Sequence, residues 1–137
     1  MTKRPFHRRV MDTSGEDNPE TVERATAAVL HALRDRLTPS EADQVLAQLP
    51  LELKAVWEAG EVAGRRPVKM HLDDFLARVM AEARLASPKE ARWMMLAVFG
   101  VLKDQITPGE ATHVLAQLPQ DLKEAWIEAA VVEPSLA

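Results

Sequence analysis

The chain has 137 residues, 47% of them hydrophobic and 28% charged, with a formal net charge of −4. It contains no cysteine, which excludes disulfides, thiol catalysis and thiolate metal sites and fits a reducing compartment. With only 5 glycines and few aromatic residues the composition is that of a compact helical protein, and the length suits one shared core where half of it would be marginal.

The opening MTKRPFHRRVMD is basic with no apolar run behind it, so it does not read as a secretory signal, and a cytoplasmic location is expected. A short helix is predicted over 4–13. Asn18-Pro19 then pairs a capping side chain with a residue whose missing N–H costs nothing in a first turn, opening a long helix over 19–36. Thr38-Pro39 opens a short helix over 39–48, and Gln48-Leu-Pro50 ends it and starts another over 51 to about 60, because proline disfavours a helical residue before it. Gly60 and Gly64 bracket the connector, which Arg65-Arg66-Pro67 continues. Further helices are predicted over 72–84, 88–105 (after Ser87), 108–117 (after Thr107) and 120–131 (after Gln117-Leu-Pro119). Thr38 with Glu41, Ser87 with Glu90 and Thr107 with Glu110 match the capping box, in which the glutamate returns to the cap N–H. The tail from Pro134 to Ala137 is expected to fray. No segment alternates with period two, so the predicted class is all-α.

Thr38 to Trp57 reads TPSEADQVLAQLPLELKAVW and Thr107 to Trp126 reads TPGEATHVLAQLPQDLKEAW. The shift of 107 − 38 = 69 positions extends without a gap to Phe6, Arg9, Val10 and Met11 against Phe75, Arg78, Val79 and Met80, and to Asp35 against Asp104. Such a match over most of the chain indicates tandem duplication. We therefore expect one domain over 1–137 built from two four-helix repeats, 1–64 and 70–133, joined by a connector at 60–69 and packed about a pseudo-twofold axis. The apolar stretches Ala25 to Leu33 and Met94 to Leu102 are too short for a membrane span and are predicted to be the central helices.

The pattern Phe75-Leu-Ala-Arg-Val79, a long helix, Thr-Pro-x-Glu-Ala, then Leu-Ala-Gln-Leu-Pro-x-x-Leu-Lys and a late tryptophan resembles the bacterial domain-of-unknown-function family 2267. The resemblance covers both repeats, and its Gln-Leu-Pro box is the most specific part. It implies a cytoplasmic two-repeat helical protein and carries no reaction with it.

Glu110-x-x-His113 has the spacing of carboxylate-bridged di-metal bundles, but the first repeat offers Glu41-x-x-Gln44. Half of a symmetric ligand set is thus missing, so Glu110 reads as a capping residue, His113 as a surface position, and no metal or cofactor is expected. His71-x-Asp73-Asp74, Glu52 and Asp121 read as first-turn groups meeting the helix dipole. His31 lies in an apolar helix and corresponds to Gly100. If the central helices cross near the axis, its imidazole would fill the space that the glycine leaves, while a proton-transfer role lacks an orienting group. Trp57 and Trp126 are expected to cover the core edge with the indole N–H toward solvent, or to anchor a partner. Trp93, which stands opposite Arg24, is a candidate for a contact unique to the second half. Arg4, Arg8 and Arg9 near the start and Arg65, Arg66 and Lys69 in the connector would form a positive edge able to meet a polyanion, although no stacking aromatic or recognition helix accompanies them.

Nothing here pairs a nucleophile with a base or cradles a phosphate, so an enzyme ranks last. The expected function is a non-catalytic protein-interaction or assembly module with a protein partner or self-association. The alternative is a small-ligand or polyanion-binding protein using the groove between repeats or the basic edge. Nucleic acid is not the favoured partner, and no membrane association is expected.

Overall fold

In the computed structural model, residues 4–132 are described; the expected fraying of Pro134 to Ala137 lies outside them. Eight helices and no strand occur among the described residues: α1 (Phe6–Ser14), α2 (Pro19–Arg36), α3 (Pro39–Ala47), α4 (Leu51–Glu58), α5 (Leu72–Ala83), α6 (Pro88–Gln105), α7 (Pro108–Ala116) and α8 (Gln120–Glu128).

Local chemistry accounts for the starts. The side chains of Asn18, Thr38, Ser87 and Thr107 accept hydrogen bonds from the backbone N–H groups of Glu20, Glu41, Glu90 and Glu110 at 3.0, 3.2, 3.1 and 3.1 Å, and a proline follows each cap. Gly15, at φ +78°, turns the chain out of α1 with its N–H on the carbonyl of Met11. Two helices stop earlier than their apolar pattern suggests, α4 at Glu58 and α8 at Glu128. A cation closes each. Arg34 Nη1 donates to the carbonyls of Trp57 and Ala59 at 2.6 and 2.7 Å, and Lys103 Nζ to those of Trp126 and Ala129 at 2.6 and 2.8 Å. These bonds use the orphan C-terminal acceptors and oppose the negative end of the dipole. Burial lowers the pKa of Lys103 below that of an ordinary lysine.

The apolar helices α2 and α6 pack on each other; α5 lies against both, as does α1, while α4 covers α2 and α8 covers α6. Their buried side chains form one hydrophobic cluster drawn from both halves of the chain. At its centre Phe99 meets Phe75 and Trp126 edge-on, with centroids 5.6 and 5.1 Å apart. Trp57 and Trp126 are each only 2% exposed, which corrects their placement at the core edge. Both indoles are structural, because a ring buried to that extent has no face left for a partner.

The long helices are tied to the short ones by exchanged contacts. Arg9 of α1 pairs with Asp104 at the end of α6, and Arg78 of α5 pairs with Asp35 at the end of α2 at 2.6 Å. Arg24 Nε donates to the carbonyl of Ala83 at the end of α5, while Trp93 Nε1 donates to that of Ser14 at the end of α1. No helix of the described chain is long and apolar enough to cross a membrane.

Candidate functional site

The two buried glutamates, Glu41 and Glu110, lie where α3 meets α7. Both helices begin with a Thr-Pro cap, and in both the cap N–H is taken from the far side of the junction. Thr38 N–H donates to Gln117 Oε1 at 2.8 Å, and Thr107 N–H donates to Gln48 Oε1 at 2.7 Å. Gln117 Nε2 also donates to Thr38 Oγ1 at 3.2 Å. The glutamine of each Gln-Leu-Pro box therefore caps the opposite helix.

This corrects the predicted capping boxes. With the cap N–H already served, Glu41 and Glu110 turn inward instead of reaching back, and their residues are 8% and 5% exposed. At Ser87 the glutamate overshoots, since Glu90 accepts from Ala86 N–H at 3.1 Å. A box-like return bond forms at α5, where Asp74 accepts from His71 N–H at 3.0 Å.

A carboxylate oxygen of Glu41 and one of Glu110 lie within 4.8 Å of each other. Their Oε2 atoms are both shielded from solvent, and neither receives a hydrogen bond from an N–H or O–H group. Two ionised carboxylates in that position would repel without compensation. Burial, reinforced by the hydrogen bond and negative charge of Glu41, raises the pKa of Glu110 to about 7. A proton or a cation between the two acids is what satisfies them. His113, one turn along α7 and exposed to solvent, brings an imidazole nitrogen within 4.8 Å of a carboxylate oxygen from each.

The cross-caps set a measurable cost. Gln117→Ala is expected to lower stability by about 1 kcal/mol, since it strands the partly buried N–H of Thr38, and Gln48→Ala by less, because the N–H of Thr107 is exposed to water. Urea unfolding checks this, and unchanged midpoints in both variants would mean that water serves those groups equally well.

The other predicted residues do different work. A Cβ on Gly100 would lie 2.6 and 2.7 Å from the carbonyl carbon and oxygen of Ala130 and 3.0 Å from Val131 N. The glycine thus admits the backbone that follows α8, which corrects the expectation that His31 fills its space. His31 Nε2 sits 2.6 Å from the carbonyl oxygen of Val56 and Nδ1 sits 3.0 Å from Glu82 Oε2. The missing orienting group is present as Glu82, but both ring nitrogens are engaged, so the residue clips α2 to α4 and α5 and leaves no nitrogen free to move a proton.

Of the six cations of the positive edge, only Arg9 and Arg65 are turned inward, and Arg4 and Arg8 stay exposed. Arg9 is buried against Asp104, and Arg4 and Arg8 lie 2.5 and 3.9 Å from Asp12. Arg65 donates to the carbonyls of Leu37 and Arg34, both at 2.7 Å, and pairs with Glu61 at 2.5 Å. There it closes the end of α2 beside Arg34 and Asp35. Burial pushes the Asp35 carboxyl up, but hydrogen bonds and charge from Arg34 and Arg78 outweigh that and hold its pKa below the usual carboxylate range. Arg66 and Lys69 remain exposed. Trp93 is 58% exposed and, with Ser87, Lys89 and Glu90, lines a shallow surface depression of about 270 Å³.

A family profile matches residues 3–125, spanning both Thr-Pro caps, both Gln-Leu-Pro boxes and the two facing glutamates. The chain belongs to the DUF2267 family. That family is described as an uncharacterized conserved protein, and a search among curated proteins finds no match to this chain. The facing acids are thus a feature of a DUF2267 chain that the sequence repeats but does not advertise. The sign that was available is Gln48 and Gln117, identical in both copies and without a local use once the helix ends.

Proposed function

We propose that this DUF2267 chain is a cytoplasmic, non-catalytic protein-interaction module, built as two four-helix repeats, 1–64 and 70–133, joined at 60–69 into one pseudo-twofold domain. The symmetry is supported by contacts that recur 69 positions apart with the halves exchanged: Arg9 with Asp104 against Arg78 with Asp35, and Thr107 with Gln48 against Thr38 with Gln117. Glu41 and Glu110 occupy equivalent positions and meet each other, as residues beside such an axis do.

The interaction reading rests on Trp93. Arg24, its equivalent, donates to the carbonyl that ends α5, and Trp93 donates to the carbonyl that ends α1. The structural duty is therefore one that an arginine performs equally well, and the large exposed indole exceeds it. A tryptophan whose ring is already fixed by a hydrogen bond loses little side-chain entropy when covered, which is what an interface anchor needs. The polyanion alternative loses support because Arg9 and Arg65 are committed to internal partners.

Trp93→Arg separates the two duties. Its thermal midpoint is expected to match wild type, because the arginine renews the bond to Ser14. Used as bait, or in sedimentation over a concentration range, it is expected to lose a complex that wild type forms. Identical complexes for both proteins would contradict the proposal.

A further inference from the structure

We propose that Glu41, Glu110 and His113 bind a divalent first-row transition ion, zinc being the representative case, at the junction of α3 and α7. The inference is independent of the Trp93 surface. One ligand atom from each residue lies within 4.8 Å of the others, so modest side-chain rotation brings all three onto a common ion. Each of the two glutamates also has an orphaned oxygen, Oε2, cut off from solvent and without a donor. Two carboxylates and a neutral imidazole cancel the charge of a dication, which removes the repulsion that ionisation would otherwise leave buried. His113 is exposed, so the ion has a path from solvent, and three protein ligands leave a fourth position for water.

The missing half of the ligand set is supplied in an unexpected way. Gln44 stands where a second histidine would be needed for a symmetric pair, but Glu41 reaches across from α3 and completes a single mononuclear set with the Glu-x-x-His of α7. The helix N-termini assist, because Glu41 and Glu110 both sit in first turns, where the dipole favours the ionised form that a metal ligand requires. Two oxygens and an imidazole nitrogen suit zinc, cobalt or manganese; magnesium and calcium prefer oxygen-only shells.

The test uses the full chain stripped with chelator, then titrated with zinc chloride by calorimetry and by thermal unfolding, with cobalt(II) as a spectroscopic probe. One zinc per chain and a midpoint raised by several degrees are expected, since an ion bound to the folded state stabilises it by mass action. Cobalt should develop visible absorption of a low-coordinate nitrogen and oxygen site, and magnesium should have no effect. His113→Gln alters an exposed residue, so it should fold with an unchanged metal-free midpoint yet bind zinc at least about tenfold more weakly; Glu110→Gln should abolish the midpoint shift. No zinc response at about millimolar concentration, an equal response to magnesium, or undiminished zinc affinity in His113→Gln and Glu110→Gln would each overturn the assignment.

Discussion

Gly100→Leu is expected to lower the unfolding free energy by about 3 kcal/mol, or to prevent folding outright. Even a bare Cβ there would stand 2.6 Å from the carbonyl carbon of Ala130, and the obstacle is backbone, which cannot rotate aside as a side-chain tip would. The chain after α8 must lift, and with it go the bonds between Val132 and Thr13 Oγ1, where Val132 N–H donates at 3.1 Å. Gly100→Ala gives a smaller loss, because the better helix former returns about 1 kcal/mol. Urea unfolding of both variants, with amide exchange at Val132, measures the effect. A leucine variant with the wild-type midpoint would show that the close approach to α6 contributes nothing.

The second large effect is a dependence of stability on pH. The pKa of Glu110 in the folded protein, about 7, lies above its unfolded value of 4.5, so between those limits the folded state holds more protons than the unfolded one. Stability from this group is fully present below pH 4.5 and is lost as the pH rises through 7, by an amount on the order of 2 kcal/mol. Glu110→Gln keeps a hydrogen-bond donor toward Glu41 at every pH. In metal-free protein it is therefore expected to exceed wild type in stability at pH 8 by about that amount and to lose the advantage near pH 4.5. Equal stability of the two proteins at pH 8 would mean that the acids do not repel.

The features legible in the sequence were those whose cause is local. Asn18, Thr38, Ser87 and Thr107 announce helix starts because cap, proline and first turn adjoin one another, and the Leu-Pro steps announce the breaks between α3 and α4 and between α7 and α8. The cross-caps were not legible, since Gln48 and Thr107 are 59 positions apart and neither residue type implies the other. That hidden contact also concealed the site. A threonine followed three residues later by glutamate has a complete local explanation, and only the glutamine arriving from across the junction releases Glu41 and Glu110 to meet.

The differences between the copies carried two kinds of information. Arg24 and Trp93 look unrelated in sequence, yet each holds the last carbonyl of a first helix, because an arginine and an indole can both donate from that position. His31 and Gly100 differ because the surroundings do. In one half a side chain reaches Glu82; in the other the backbone of Ala130 and Val131 occupies the equivalent flank and Thr13 holds Val132.

The burial of Glu41 against Glu110 is the observation from which the rest follows, and a carbon-13 NMR titration of the glutamate side-chain carboxyl carbons in chelator-treated protein reads it directly. A carboxyl that titrates near 7 in the wild type, whose transition disappears in Glu110→Gln and moves to lower pH in Glu41→Gln, is the predicted result. Glutamates that all titrate below about 5, as exposed carboxyls do, would contradict a shared buried pair.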